Sequence, residues 1–299
     1  MNDAFRQALS DIRGLESRLA ARHGVCRLEV ELRASAQGVR VHGTVLVDRL
    51  RQPVLDLVAA ALPARTRVID VLEVVQGGSW HALERVTPLH AAASGGPRVT
   101  VLHPEDGPVE VLGQGPAACL VRDRCGTAAW MSAGLGPKVE APCLPGPRTD
   151  DPLPFVDAAR RFVGTPYALG GTDREVIDCS GLVQRAAWSA LGVAVPRNTG
   201  DLWGLGARPG RPPATAGHLV FVWTHGESLR HVGVVAPDAV VHASLSRRVV
   251  VCDPHERFYR GVARVEHVPF ETLIALGKQC AGHPNLLAAG VRLGQAPPA

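Results

Sequence analysis

Apolar and polar positions change their period several times along the chain, and each change marks an element. Phe5, Leu9, Ile12, Leu15 and Leu19 recur every three or four residues among charges, predicting an opening amphipathic helix. Leu28, Val30 and Leu32 alternate with polar residues in CRLEVELRAS, and GVRVHGTVLV alternates again. Both read as half-buried strands by their period of two. Val54, Leu57, Val58 and Ala61 return to helical spacing in a helix ending near Pro63, and RVIDVLEVV closes as a third strand. The order helix, strand, strand, helix, strand predicts a small α+β unit over residues 1–77. Residues 78–143 hold short apolar runs, RVTPLHAAAS, PRVTVLHPEDGPVEVLG and ACLVRDRCGTAAWMS, broken by Gly, Pro and Asp. That punctuation predicts a small β-barrel. Pro145, Pro147, Pro152 and Pro154 crowd the next stretch. Such a run sustains neither a helix nor a central strand, so 144–154 reads as a semi-rigid linker. Helical spacing resumes in PFVDAARRFVG, opening a third block over 155–275, and 276–299 reads as a docked or frayed tail.

Composition narrows the classes little. The chain has 299 residues, enough for two or three domains, and is 46% apolar. Its net charge of +4 is spread along the chain, which gives no electrostatic footprint for nucleic acid. No segment reaches the roughly 18 apolar residues of a membrane span, and the N-terminal stretch lacks the apolar core of a signal peptide. The cysteines number seven, and CLVRDRC separates Cys119 from Cys125 by five residues, unlike the short clamps of zinc sites. These features predict no metal and a reducing, cytoplasmic location. Oligomeric state is left open.

Candidate chemistry centres on DCSG. Asp178 is a good helix N-cap, which puts Cys179 at the first position of a helix through CSGLVQRAAWSALG. A thiol there faces unpaired N–H groups and the positive end of the helix dipole, which favour thiolate. The same groups suit an oxyanion formed beside the sulfur. The plain alternative is a small buried hydrophobe, as most free cysteines are. A nucleophilic thiol needs a base, and HVGVVAPDAVVHAS supplies histidines on two predicted strands. A two-residue loop at Pro237-Asp238 sets position 231 opposite 244 and 233 opposite 242. His231 and His242 then share a face as diagonal neighbours, with Gly233 leaving room across from His242. A loop one residue longer or shorter sends them to opposite faces, as two unrelated structural histidines.

TPYALGG, DCSGLVQ, VPRNT, GHLVFV, HVGVV and VVHAS, in this order and spacing, closely resemble the NlpC-type cell-wall cysteine peptidases. The resemblance covers about residues 155–270 and implies an α+β chain with a papain-like catalytic domain. It implies that Cys179 is the nucleophile, that His231 is general base and then acid, and that His242 orients His231. It also implies that Tyr167 lines the site and that Asp178 and Ser180 help bind a substrate's terminal amine. Arg197 falls on a frequent arginine, read as structural. The implied substrate is a murein peptide, cut between γ-D-glutamate and a diamino acid, without metal or cofactor. Two departures stand out: His218 replaces a structural aspartate in GHLV, and WGLGARPGRPPATAG lengthens a loop near the cleft. The first block resembles a BON domain. The second resembles a bacterial SH3-like domain, with Gly126 and Trp130 at its closing strands and Trp130 read as core. The alternatives are a muramoyl–alanine amidase on the same fold and a non-catalytic protein binding cell wall or a partner.

Overall fold

The computed structural model describes residues 2–23, 28–46, 50–75, 77–210, 214–223 and 231–291. The first unit contains all five expected elements: α1 (Asn2–His23), β1 (Leu28–Ser35), β2 (Gly38–Val45), α2 (Arg51–Ala61) and β3 (Val68–Val74). β2 pairs antiparallel with β1 and parallel with β3. The alternating apolar positions of the strands meet Ala8 and Ile12 of α1 and Val54 and Val58 of α2 in one core, as half-buried strands and amphipathic helices must.

Residues 79–139 form β4 (Ser79–Leu83), β5 (Thr87–Ala92), β6 (Gly95–Leu102), β7 (Val109–Gln114), β8 (Cys119–Arg122), β9 (Ala128–Met131) and β10 (Leu135–Val139). They make one seven-stranded sheet in the order β10-β4-β7-β8-β9-β5-β6. A single 3₁₀ turn, Pro104–Asp106, links β6 to β7. Trp130 is partly buried, but it packs with Leu120 and Ala128 against the core of the first unit, not its own. The alternation along β8 and β9 therefore serves two cores, one on each face.

The third unit is built from α3 (Leu153–Arg160), α4 (Cys179–Ala186), α5 (Thr199–Trp203), β11 (Arg208–Pro209), β12 (Leu219–Trp223), β13 (His231–Val235), β14 (Ala239–Ser244), β15 (Val249–Pro254), α6 (His255–Phe258), β16 (Arg264–Val268) and α7 (Phe270–Cys280). Its six strands run β11-β16-β12-β13-β14-β15, all antiparallel. α3 and α4 cover one face, where Phe155, Leu182, Phe221, Val232 and Val241 are buried together. Phe258 of α6 packs on the other face with Val220, Val235 and Val240. Burial on both faces explains why β12 to β14 read as continuous apolar runs without strict alternation. The helix after Cys179 continues through Leu191 as a π turn before Gly192 ends it in a left-handed conformation. α7 runs past residue 275, so the expected boundary there falls inside a helix.

The stretch 144–154 is held against the third unit by Leu144 N–H to the His283 carbonyl, 2.8 Å, and Arg148 N–H to the Leu191 carbonyl, 2.9 Å. Beyond α7 the chain folds back as far as residue 291, with Leu286 fully buried and its N–H on the Arg124 carbonyl. The remainder of the expected tail, 292–299, lies outside the described residues, as do 211–213 of the lengthened loop. Among the described residues no helix is long and apolar enough to cross a membrane.

Candidate active site

Asp178 caps α4 as its sequence position predicts. It is extended, with φ −103° and ψ 178°, and its Oδ1 accepts the Gly181 N–H at 2.7 Å. Cys179 is therefore the first residue of the helix. An α-helix leaves its first four N–H groups without intrahelical acceptors. Of these, the Gly181 N–H is met by the Asp178 carboxylate and the Asp178 N–H by the Gly171 carbonyl, while Leu182 N–H makes the first intrahelical bond, to the Asp178 carbonyl. The N–H of Cys179 belongs to this first turn, where the helix itself supplies no acceptor.

The half-buried thiol lies 3.6 Å from Thr199 Oγ1. The backbone N–H of Val232, immediately after His231, reaches it from the facing strand. The helix end thus sits over β13 at the histidine. Burial raises the thiol pKa, and the Asp178 carboxylate adds to that; Thr199, Val232 and Arg197 act the other way but do not reverse it. These causes work against the thiolate that the helix terminus favours. The helix terminus does favour the anion, but removal from water and a carboxylate one residue away outweigh it.

The hairpin has the expected register. Val234 pairs with Val241 and Val235 with Val240, and Ala236 N–H closes the turn on the Ala239 carbonyl. His231 and His242 consequently share a face, and His231 Nε2 lies 2.8 Å from His242 Nδ1. Gly233 is needed here: a Cβ at that position would stand 3.2 Å from the His242 Cβ and 2.6 Å from Val240 Cγ1. Burial drives the pKa of His231 down to about 3, with His242 a secondary cause. Burial also lowers that of His242, against the pull of Asp253. Phe258 lies edge-on to the His242 ring at 4.9 Å between centroids and closes that side.

The chain of contacts extends beyond the residues expected from sequence. His242 Nε2 lies 3.1 Å from Asp253 Oδ2, and Asp253 is also bound by Arg247, with Arg257 Nε at 3.6 Å. No spacing rule flags Asp253 in VVVCDPHERF; it is found only once β14 and β15 pair, because His242 stands opposite Val251. Thr199 was overlooked although it ends the motif VPRNT, which drew attention only for its arginine.

Of the remaining expected residues, Tyr167 is partly buried against the same core. Burial raises its phenol pKa, with Cys179 and then Asp178 as further causes, so the ring stands close to the thiol. Asp178 and Ser180 carry a set of contacts within the chain. Asp178 is buried and accepts Gly170 N–H, Gly181 N–H, the Ser180 hydroxyl and both Nη1 and Nη2 of the Arg197 guanidinium, at 2.6 to 3.2 Å. Ser180 in turn accepts from Arg197 Nη1 at 2.9 Å. Every lone pair of the carboxylate is engaged inside the chain and its charge is balanced by Arg197. The pair therefore braces the loop and helix around Cys179, and Arg197 has the structural place expected of it. His218 keeps its backbone in the β12–β13 pairing by accepting the Val235 N–H. Its ring points toward His267 and Glu271, away from the histidine pair. Among the described residues no group of three or more His, Cys, Asp or Glu is gathered to hold a metal ion.

A hydrogen-bonded imidazole pair, one ring on a strand whose next N–H reaches a thiol at a helix N-terminus, is suited to nucleophilic acyl transfer. The NlpC/P60 family matches residues 164–265, which contain Cys179, both histidines and Asp253. The chain is 35% identical over 107 residues to the murein DD-endopeptidase MepS/murein LD-carboxypeptidase of Escherichia coli (strain K12), covering 36% of this chain and 56% of that protein. It is 32% identical over 129 residues to the gamma-DL-glutamyl hydrolase of Bacillus subtilis (strain 168), covering 41% of this chain and 31% of that protein. The matches thus span about half or less of these two relatives. Identity to the probable endopeptidase NlpC of Escherichia coli (strain K12) is 30% over 112 residues, 36% of this chain but 73% of the relative. With 73% of that relative's length matched at 30% identity and the family model covering residues 164–265, the chain belongs to the NlpC/P60 family.

Proposed function

We propose that this protein is a cysteine endopeptidase acting on murein peptides, cutting between γ-D-glutamate and the diamino acid that follows. The observations that carry the reading are the 2.8 Å His231–His242 pair and, at the N-terminus of α4, the Cys179 thiol, which is reached by the N–H of Val232, the residue after His231. The relatives' names, which speak of murein and γ-glutamyl bonds, supply the substrate class.

In this mechanism the thiol and imidazole start neutral. Sγ of Cys179 attacks the scissile carbonyl carbon while its proton passes to His231, acting as general base. Charge developing on the carbonyl oxygen is met by the Cys179 N–H at the helix end. His231 then delivers the proton to the departing amine, leaving a thioester on Cys179. Water, deprotonated by His231, releases the acyl group and restores the thiol. Tyr167 lines the approach, while Asp178 and Ser180 hold the frame. No metal or cofactor enters these steps. We read the first unit as BON-like, supported by its strand, strand, helix, strand order, and the seven-stranded unit as SH3-like. Both are taken to position the enzyme on its polymeric substrate.

Defined murein tri- and tetrapeptides, digested and read by mass spectrometry, test the proposal. The expected products are L-alanyl-γ-D-glutamate and a free diamino-acid peptide, absent with Cys179→Ala. Cleavage at the muramoyl–alanine bond instead, or products undiminished in Cys179→Ala, would overturn it.

A further inference from the structure

His231 is half-buried and His242 buried, and removal from water favours the neutral form of both; a neutral imidazole carries its one proton on either ring nitrogen. Catalysis by His231 depends on which. Its Nε2 is engaged with His242, so Nδ1 is the nitrogen left for the thiol, and it serves as a base only if the proton sits on Nε2. Nothing in the His231–His242 contact alone decides this, since either ring is able to donate.

The decision comes from the far end of the chain of contacts. Asp253 is buried and lies against Arg247 from the turn before β15, Arg257 from α6 and His242 from β14. Two guanidinium groups hold it as a carboxylate, which only accepts. His242 Nε2, at 3.1 Å, must then be the donor. That leaves the lone pair of His242 on Nδ1, facing His231 Nε2 at 2.8 Å, so His231 donates there and its own lone pair falls on Nδ1. We infer that Asp253 is a positioning residue: through His242 it sets the tautomer of His231 and so keeps the base nitrogen free to take the proton of Cys179. Arg247, which also meets the oxygen that His242 meets, belongs to the same device.

The direction of the relay has a kinetic signature. In the general-base mechanism kcat/KM rises as His231 loses its proton. Loss of the Asp253 charge makes an imidazolium less favourable, so the histidine limb moves to lower pH. Asp253→Ala removes the acceptor as well as the charge, and kcat falls at least about tenfold with KM little changed, a part of the 10²–10⁴ that a positioned base contributes. Asp253→Asn keeps an oxygen in place and recovers part of kcat, but its limb stays displaced. The kinetic arm rests on the peptidase reading; a second arm does not. Nitrogen-15 spectra of the histidine rings in the full chain are expected to show protonated Nε2 on both His231 and His242, and a mixture of tautomers in Asp253→Asn. Wild-type tautomers in both proteins, or a limb that stays put while kcat falls, would overturn the inference. A wild-type chain inactive on murein peptides with the expected spectra would overturn the function and leave the relay standing. If Asp253→Ala fails to fold, the asparagine variant carries both arms.

Discussion

Two influences of opposite sign meet at the sulfur of Cys179. The helix terminus, Thr199, the Val232 N–H and Arg197 favour the thiolate; burial and the Asp178 carboxylate oppose it and prevail. The expected outcome is that alkylation of Cys179 by iodoacetamide accelerates with pH through an inflection above about 8.5, the value of an ordinary thiol. A rate already at its plateau near pH 6 would mean a resting ion pair with His231 and would overturn the neutral-pair mechanism. Thr199→Val removes a hydroxyl worth about 1 kcal/mol to the thiolate, so the inflection moves further up and kcat drops roughly fivefold by the same conversion. The residues whose roles were legible in sequence are those set by local rules: a cap before a helix, a thiol after the cap, two histidines across a short turn. The bracing of Asp178 and Ser180 by Arg197 was not legible, because that partner stands 19 and 17 positions away. No local pattern states that a carboxylate is already satisfied.

The hairpin β13–β14 is the element on which the site depends, and its register follows from the length of one turn. Gly233 faces His242 and Val240 across the two strands. Gly233→Ala would place a methyl group 2.6 Å from Val240 Cγ1 and 3.2 Å from the His242 Cβ. Overpacking of this kind costs about 1–3 kcal/mol, and here it pushes His242 away from His231. The expected result is a folded protein with a lowered melting temperature and at least a tenfold loss of kcat, in keeping with the contribution of a positioned base. Trimming the neighbour as well, in Gly233→Ala/Val240→Ala, relieves the closer contact and restores part of both. A double variant no better than the single one in melting temperature or kcat would show that the strand spacing is not the cause. Element types were well marked in the sequence because hydrophobic period reports them directly. Element ends were less so: α7 passes through residue 275 and the helix of Cys179 finishes as a π turn, both decided by tertiary packing.

At the scale of the molecule, the three units are joined by buried polar groups that no period or motif announces. Thr172, just before the loop to Cys179, exchanges hydrogen bonds with both backbone groups of Val101 on β6, at 2.7 and 3.0 Å. Asp106 receives Arg124 from its own unit and Arg185 from α4. Arg122 donates to the Leu46 and Val75 carbonyls of the first unit and to Glu110. Such partners lie tens of residues apart, so the sequence shows three blocks but not how they dock. The docked interior also holds ionisable groups whose charging opposes folding, and this gives stability a calculable slope with pH. His231 is pushed down to about 3 and His267 to about 4, chiefly by burial, and burial lowers His242 and His218 as well. A histidine with a depressed folded pKa stabilises the fold above its unfolded value of 6.5, and that contribution is lost as pH falls toward the folded value. Asp123 runs the other way: burial raises it to about 6, so between there and 3.8 the folded state holds a proton that the unfolded state releases. From pH 6 to 4, His231 and His267 take up two protons on unfolding against one released by Asp123, a net uptake of about one. Stability should therefore fall by on the order of 1 kcal/mol per pH unit across that window. The melting temperature is expected to decline steadily from pH 6.5 to 4, and less steeply in His267→Asn, which removes one of the two groups. A melting temperature that stays level or rises over that range would show that these histidines meet water in the folded state.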